Sequence, residues 1–448
     1  MSPLTPPQLD PLAIGAPPGV DSGLRAITNK VHAGIRLSEA DGMLLYQTPD
    51  IWTVCSLADL VRRRLHGDIA YYNVNRHLNY SNICALSCKF CAFYRKKDED
   101  GAYEHSLEQI AEEARNAVSG GATEIHIVGG LHPWLGFDYY TDMMRIIHDA
   151  APRLHIKAFT AVEIVHLARI SKRGKEGYEG IKSVLKDLKD AGLGSLPGGG
   201  AEVFDDRVHD EAYKGKIKAR QWMEVHQAAH ELELNTNATI LYGHIEQRSE
   251  RITHMMLLRE EQDRTLKQWA SDQGIALQAA ADHQGMETEA VVLSGEDAGY
   301  PDERLPMPET CDAGYYQTIT PLPFFPDKSE LEHLPAPTGL ENLRTLAICR
   351  LMLDNFPHVK AFWIMQSLEM AQFMLLNGAD DSDGTVVWYD ITKLISDSDG
   401  DPTHQETGVW DLQKAIRDAG FRPVERDTLY RPVERDPDNA TDWRIATT

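Results

Sequence analysis

The sequence predicts an α/β protein whose body is a (β/α)8 barrel of the TIM type. From His77 onward, eight short β-like runs alternate with longer amphipathic helical runs. This alternation predicts a parallel sheet covered by helices, and eight repeats favour a closed barrel over an open doubly wound sheet. The glycine-rich and polar segments fall where the runs end, which is where a barrel carries its functional groups.

Each predicted strand is a short run between turn residues, and all but the last are followed by a helical stretch. In chain order the runs are RHLNYSN, TEIHIVGG, HIKAFTAV, GSLPGGG, NTNATILYG, YYQTITPLP, HVKAFWI and GTVVWYDI. A cysteine-rich loop separates the first run from its helix, so the first strand ends next to the most unusual segment of the chain.

The N-terminal part of the chain lies outside these repeats. Residues 1–25 are rich in proline and predict a flexible tail. Residues 26–75 predict a helical segment, in which Ser38 is a plausible N-cap and Gly67 ends an amphipathic run. This helical segment precedes the barrel.

The barrel is predicted over residues 76–395 and is followed by a C-terminal helical extension over residues 396–448. A stretch at about residues 266–313 is too long for an ordinary loop between helix and strand, so it predicts an insertion. Within the extension the hexapeptide RPVERD occurs at 422–427 and again at 431–436. Two copies make no solenoid, and the repeat is given no function.

The composition is that of an acidic protein. The chain has 448 residues with 45 Lys and Arg against 68 Asp and Glu, for a net charge of -23. This balance argues against binding to nucleic-acid phosphates or to an anionic membrane surface. The chain has no apolar run near the ~20 residues that cross a bilayer, and its first residues do not follow the order of a secretory signal. We therefore expect a cytoplasmic protein.

Three of the six cysteines form the motif C-x3-C-x2-C at Cys84, Cys88 and Cys91. A structural zinc site needs four ligands, and no second cysteine pair or suitably spaced histidine follows. Three thiols fit an iron–sulfur cube better, because its fourth iron then stays free for a substrate or cofactor. Three unrelated thiols so close together would be prone to oxidation or to binding stray metal. The other cysteines, Cys55, Cys311 and Cys349, are expected to be small buried residues.

With the aromatic Phe90 before its third cysteine and its place after the first strand, the motif resembles that of the radical S-adenosylmethionine (SAM) superfamily. The resemblance implies a 4Fe-4S cluster held by Cys84, Cys88 and Cys91, whose open iron binds the amino and carboxyl groups of SAM. It also implies reductive cleavage of SAM to methionine and a 5'-deoxyadenosyl radical. A reducing partner such as flavodoxin or ferredoxin is therefore expected, and Phe90 is a candidate to shield the cluster.

Longer stretches extend the resemblance over most of the chain from Arg76 to Asp427. NICALSCKFCAFYRKK, ATEIHIVGGLHPWLGFDYY, TNATILYGHIE and NGADDSDGTVV are similar to enzymes that make modified futalosines and deazaflavin precursors, most of all to the aminofutalosine synthases. This implies addition of the adenosyl radical to the aromatic enol ether 3-[(1-carboxyvinyl)oxy]benzoate, giving 6-amino-6-deoxyfutalosine for menaquinone biosynthesis. Two alternatives stay open. One is a sister enzyme, the dehypoxanthine futalosine cyclase or a deazaflavin-precursor (FO) synthase subunit; the other is a non-catalytic iron–sulfur protein.

Two segments are expected to bind SAM. Gly129 and Gly130 match the place where the superfamily receives the SAM ammonium through backbone carbonyls, although Leu131 stands where a glutamate is common. A plain turn is the alternative. Glu163, after the third strand, is a candidate acceptor for the ribose hydroxyls, and a glutamate at a helix start is its alternative.

A third glycine-rich segment follows the fourth strand. Bare backbone in SLPGGGAE is expected to line the adenosine or the nucleoside, and its glycines are Gly198, Gly199 and Gly200.

Four further residues are candidates for substrate binding or proton transfer. They lie in matched stretches at predicted strand ends and are His132, His244, Asp380 and Asp381. The histidines are suited to the substrate's carboxylates, although a lone histidine is more often structural. The two aspartates alternatively cap the loop before the last strand. Trp388 and Tyr389 replace acidic residues of the family, so any carboxylate function there is lost or supplied elsewhere.

Overall fold

The computed structural model describes residues 22–274, 313–386 and 406–446, together with the short strands at 394–395 and 402–403. Several predictions from the sequence lie outside these residues: those for Trp388, Tyr389 and Cys311, most of the proline-rich tail, and most of the insertion.

Three helices precede the barrel: α1 Ser22–His32, α2 Glu39–Gln47 and α3 Ile51–His66. The sequence indicated the second and third, whereas α1 begins within the range predicted as a tail. Ser38 caps α2 through a capping box with Asp41, and Gly67 ends α3 in a left-handed conformation at φ 58°. The strand β1, Ile69–Asn73, then enters the barrel region, although the sequence predicted only helices here.

Seven parallel strands form the main sheet, in the order in which they occur in the chain. They are β2 Asn75–Leu78, β3 Glu124–Ile127, β4 His155–Ala158, β5 Ser195–Leu196, β6 Asn235–Tyr242, β7 Tyr316–Pro323 and β8 His358–Val359. The helices between them are α4 Leu107–Ser119, α5 Phe137–Ala150, α6 Ala161–Ile170, α7 Tyr178–Asp190, α8 Asp206–Ala212, α9 Ala219–Glu231, α10 Arg248–Asp272 and α11 Gly339–Met352. The predicted alternation and its first seven strands are confirmed.

The last strand of the barrel differs from the prediction. After α12, Leu368–Leu375, the strand β9 covers Asp381–Gly384 and starts before GTVVWYDI. It pairs in parallel with β1, and Asp381 bridges to Lys360 next to β8. The hydroxyl of Thr385 donates to the carbonyl of Asn75, which connects this side to β2. The sequence placed the strand too late because aspartates are depleted in strands.

The C-terminal extension contains more strand than predicted. The strand β10, Leu394–Ile395, comes just before it, and the extension comprises β11 Pro402–Thr403, α13 Val409–Asp418, β12 Arg422–Glu425, β13 Val433–Arg435 and β14 Trp443–Ile445. The strand β12 pairs in parallel with β1 and so belongs to the barrel region. The two RPVERD copies contact each other, because Arg431 pairs with Asp427 at 2.6 Å and Arg435 pairs with Glu425.

Helix α10 continues into the predicted insertion, since it ends only at Asp272. Within the described ranges, we find no helix with both the length and the apolar character that a bilayer span requires.

The strands present different residues to their two faces. On β3, Ile125 and Ile127 are fully buried in the outer hydrophobic core, whereas Glu124 and His126 point into the barrel interior. On β2, Arg76 points outward and pairs with Glu113 of α4 at 2.5 Å. The apolar core therefore lies between sheet and helices, and the barrel interior is polar.

Candidate functional site

The cysteine loop follows β2 at the C-terminal end of the strands, which we call the mouth. Backbone hydrogen bonds hold it: Cys84 N–H donates to the Arg95 carbonyl at 3.1 Å, and Cys91 N–H to the Cys88 carbonyl at 3.0 Å. The ammonium of Lys96 donates to the carbonyls of Cys84 and Leu86, both at 3.0 Å. The loop is therefore fixed by contacts that do not use the thiols.

The three thiols are free, and the loop brings them together. Cys88 is buried, whereas Cys84 and Cys91 are partly exposed. Burial raises the pKa of Cys88 to about 11 and also raises that of Cys91. The backbone N–H groups of Leu86 and Leu131 point at Cys84 Sγ, each at 3.4 Å. Hydrogen bonds to sulfur of this kind accompany thiolates that bind iron–sulfur clusters, so the residues fit such a cluster.

A buried ion pair beside the thiols was missed by the sequence analysis. The ammonium of Lys216 pairs with Glu202 and lies 4.9 Å from the ring centre of Phe90. Burial opposes its charge, but Glu202 and the nearby Cys88 hold the pKa of Lys216 above its ordinary value. Lys216 thus brings an ammonium group, paired with the Glu202 carboxylate, to the cluster site. Glu202 ends the stretch SLPGGGAE, so the sequence could have indicated this residue. No motif in the sequence indicated Lys216.

The loop after β3 packs directly on the cysteine loop. Gly130 N–H donates to the Ser81 carbonyl at 2.8 Å, and a Cβ on Gly130 would collide with the carbonyl oxygen of Ile83. A Cβ on Gly129 would lie 2.6 Å from the Tyr80 ring. These glycines are therefore required for loop packing, whatever their carbonyls bind.

Glu163 is buried at the start of α6. Its carboxylate accepts from Gly129 N–H and the Tyr80 hydroxyl at 3.0 Å each, and from Thr160 N–H and hydroxyl at 2.8 Å each. Burial raises the pKa of Glu163 to about 7. Each carboxylate oxygen already accepts two hydrogen bonds. The geometry therefore matches the alternative that Glu163 is a glutamate at a helix start, and the residue joins the Gly129 loop to α6.

The glycines after β5 pack against neighbouring elements. Gly198 and Gly200 have φ of 78° and 88°, which favours glycine, and a Cβ on Gly199 would lie 2.9 Å from the Thr160 side chain. The carbonyl of Gly198 accepts from the Thr239 hydroxyl at 2.9 Å. The segment therefore fits closely between β6 and α6 at the mouth.

Comparison with known proteins agrees with this geometry. The family model described as the radical SAM superfamily matches residues 78–258, and that described as the CofH/MqnC C-terminal region matches residues 314–439. The chain is 37% identical over 418 residues to the aminodeoxyfutalosine synthase of Streptomyces coelicolor, covering 91% of this chain and 93% of that protein. The chain belongs to the radical SAM superfamily. It is an enzyme whose cofactors are a 4Fe-4S cluster and SAM.

Other comparisons support the same membership. The aminodeoxyfutalosine synthase of Thermus thermophilus is 38% identical over 410 residues, covering 91% of this chain and 95% of that protein. The FO synthase of Streptomyces coelicolor is 31% identical, covering 92% of this chain but 41% of that protein. The hydrogenase maturase HydG from Carboxydothermus hydrogenoformans superposes with a TM-score of 0.61 at 14% identity, covering 91% of this chain and 80% of that one. This structure supports the radical SAM fold alone.

The two candidate histidines lie at the mouth. His132 accepts from Trp134 and Leu135 N–H at its Nδ1, and its Nε2 lies 2.8 Å from a Glu104 carboxylate oxygen. Its Nδ1 is therefore engaged, and its Nε2 is paired with Glu104. His244 donates from Nε2 to the Leu241 carbonyl at 3.2 Å, while its buried Nδ1 makes no hydrogen bond within the described ranges and lies 3.5 Å from a Glu246 carboxylate oxygen. Each histidine thus has one ring nitrogen hydrogen-bonded to the backbone and the other next to a carboxylate.

The two candidate aspartates lie elsewhere. Asp380 and Asp381 precede and begin β9, so they lie at the N-terminal end of the strands, which we call the base. The expectation that they join the other candidates at a catalytic strand end is therefore corrected. Asp380 pairs with Arg350 and with His358 Nδ1 at 2.6 Å, and Asp381 pairs with Arg426 at 2.6 Å. Burial favours protonation of Asp380, but His66, His358 and Arg350 hold its pKa well below the usual range.

Three potential metal ligands meet at the base, where atoms of His66, His358 and Asp380 lie within 4.8 Å of one another. Arg350 contacts the same carboxylate, and His66 Nε2 is hydrogen-bonded to the Pro357 carbonyl at 2.8 Å. A cation would have to displace these contacts next to a buried arginine, so we interpret the group as a hydrogen-bond network.

The barrel interior at the base and directly above it contains buried ion pairs. They are Glu124–Lys157 at 2.7 Å, Lys360–Asp383 at 2.7 Å and the Arg426–Asp381 pair. Their formal charges cancel, so this layer is electroneutral and closes the lower end of the interior.

Proposed function

We propose that this radical SAM enzyme is an aminodeoxyfutalosine synthase, which joins the adenosyl group of SAM to 3-[(1-carboxyvinyl)oxy]benzoate and forms 6-amino-6-deoxyfutalosine. Methionine leaves from SAM, and the carboxylate next to the alkene leaves as a one-carbon acid after migration of the aromatic ring. One observation carries the proposal: three free thiols and a buried lysine meet two glycine-rich loops at the mouth of a polar barrel. Two aminodeoxyfutalosine synthases at 37% and 38% identity support this choice over FO synthase, whose relative is 31% identical.

In this proposal Cys84, Cys88 and Cys91 hold three irons of the cluster. When bound, the cluster supplies the electron that cleaves SAM to methionine and a 5'-deoxyadenosyl radical. The ammonium of Lys216, paired with Glu202, also interacts favourably with the nearby thiolates of Cys88 and Cys91. The Nδ1 of His244, which makes no hydrogen bond within the described ranges and lies 3.5 Å from Glu246, is the candidate nitrogen for a ligand at the mouth. The surrounding loops hold the reactants together and exclude competing hydrogen donors.

The electron comes from a reduced partner protein, flavodoxin or ferredoxin, acting in the cytoplasm. A surface cavity of about 310 Å³ borders Cys91, Arg95 and Lys328 and supports access of this partner protein to the cluster site. The small-molecule partner is the aromatic enol ether.

The test is product analysis after anaerobic reconstitution, with dithionite, the enol ether and SAM labelled in its adenine. We expect label in 6-amino-6-deoxyfutalosine.

The match to the CofH/MqnC C-terminal region favours a futalosine cyclase as the second candidate. A cyclase would consume dehypoxanthine futalosine and leave the labelled adenine in 5'-deoxyadenosine. Reconstituted protein that cleaves SAM with neither substrate would contradict both.

A further inference from the structure

We propose that His126, with His77 beside it, binds the ring carboxylate of the substrate and thereby selects an aromatic acid. The inference rests on the proposed function, because the enol ether carries one carboxylate on its ring and another next to the reacting alkene.

His126 is an unpartnered polar side chain inside the barrel. It lies on β3 between the outward-facing Ile125 and Ile127, so its imidazole points to the interior. No described side chain or backbone group is hydrogen-bonded to either of its ring nitrogens. Burial holds the pKa of His126 well below its ordinary value, so the ring is neutral and offers one N–H. A donor in the barrel interior that has no protein partner is expected to be satisfied by a ligand or by water.

The surface around His126 continues towards the cofactor. His126, Val128 and Gly129 are partly exposed, whereas the alternate Ile127 is fully buried. Accessible surface is therefore present at His126 and Val128 on the interior face of β3 and at the Gly129 loop. At ~3.3 Å per residue, His126 lies about 10 Å below Gly129, a distance that an aromatic ring and its carboxylate can span.

The layer below His126 is unsuited to take the carboxylate. Lys157 is paired with Glu124 and Lys360 with Asp383, each at 2.7 Å, so neither ammonium is free. His77 lies on the adjacent strand with its ring centre 4.5 Å from that of His126. The two imidazoles thus lie on the mouth side of this ion-paired layer, which is the side from which a carboxylate would enter.

The selectivity of binding tests this assignment. The cluster-loaded protein, with SAM and without reductant, is titrated calorimetrically with the enol ether and with 2-phenoxyacrylate, the same molecule without its ring carboxylate. We expect His126→Phe to weaken binding of the enol ether by about 10- to 100-fold, the usual range for one lost hydrogen bond to a charged group. Binding of 2-phenoxyacrylate should change less than about twofold, because it makes no such bond.

His226→Phe is the matched control, since His226 is buried outside the barrel against Trp222, with ring centres 3.8 Å apart. It should leave the preference for the ring carboxylate unchanged. His126→Gln keeps a donor and should retain part of the preference, which keeps the test informative if the phenylalanine variant misfolds. Iron content identifies misfolding in either variant.

Equal weakening of both ligands by a folded variant would overturn the assignment, as would an unchanged preference. In both cases turnover of the enol ether by the wild type would leave the proposed function standing. A wild type that makes no adenine-labelled product but binds ring carboxylates through His126 would refute the proposed function alone. Failure of the wild type to bind the enol ether would refute both.

Discussion

The mouth and the base of the barrel are built from the same strands, but their buried polar groups differ in whether an arginine holds them. At the base, Asp380 and Asp381 are buried and each is held by an arginine. At the mouth, the thiol of Cys88 and the Nδ1 of His244 are buried without such partners. Paired groups stabilise the fold, whereas unpaired buried groups cost stability unless a ligand completes them. The comparison indicates that the buried polar groups at the base stabilise the fold, whereas those at the mouth serve ligand binding.

The largest difference is expected for Cys88→Ala. Two thiolates cannot hold the cube with its open iron in place, so iron binding and SAM cleavage should both be lost. The measurements are iron and sulfide content and release of 5'-deoxyadenosine after reconstitution. Cys55→Ala is the control, because Cys55 is buried in α3 outside the site. Full SAM cleavage by Cys88→Ala would show that this thiol is not a cluster ligand.

At the base, the same hexapeptide allows a matched pair of substitutions. Arg426 and Arg435 occupy the same position in the two RPVERD copies, but Arg426 is fully buried on Asp381 whereas the Arg435 side chain is 20% exposed. Arg426→Gln leaves a buried carboxylate unpaired and should lower the free energy of unfolding by ~3–5 kcal/mol. Arg435→Gln should lower it by about 1 kcal/mol.

Urea unfolding of the two variants provides the measurement. Iron content per folded molecule should be normal in both, because neither arginine lies near the thiols. Equal losses of stability would contradict the view that burial, not the repeat itself, decides the contribution of these arginines.

The two regions also differ in how far the sequence predicted them. The alternation of runs predicted seven strands, because β-branched and aromatic residues mark them. The strands β1 and β9 were missed or misplaced. Tyr71 and Asp381 are paired across them, yet the aspartates of β9, Asp381 and Asp383, are held in the strand by Arg426 and Lys360, which lie outside it in the sequence. Such tertiary pairing leaves no local pattern.

At the mouth, the thiols were predictable because cluster ligands follow a fixed spacing. Glu202 stood at the end of a recognised stretch, whereas Lys216 reaches the site only through the turn after α8. His126 had no signal, since a histidine within a strand run looks like any half-buried residue. Its role depends on which face of β3 it occupies and on what lies opposite.

A smaller effect is expected for the pH dependence of stability through Glu163. Its pKa rises from 4.5 to about 7 on folding, so the folded state holds this proton more tightly. The resulting stabilisation is fully present below pH 4.5 and is lost as pH rises through 7, a change of about 3 kcal/mol. Glu163→Gln removes this titration. Urea unfolding at pH 5 and pH 8 should show the wild type losing more stability than the variant, and parallel losses would contradict the assignment.

The smallest effect on stability is expected for Gly130→Ala, a substitution in the loop next to the cofactor site. Its new methyl group must displace the Ile83 carbonyl, one residue before Cys84, at a cost of about 1–3 kcal/mol. Gly120→Ala is the control before the base end of the same strand. Its Cβ would meet only ordinary contacts at 3.5 Å and its φ is -83°, so its effect should stay within ~0.5 kcal/mol.

Because the displaced carbonyl belongs to the cysteine loop, the Gly130 variant should bind less iron before SAM is added. If it keeps its full iron content and loses only SAM binding, Gly130 acts through its carbonyl on the cofactor and not through the packing of the two loops.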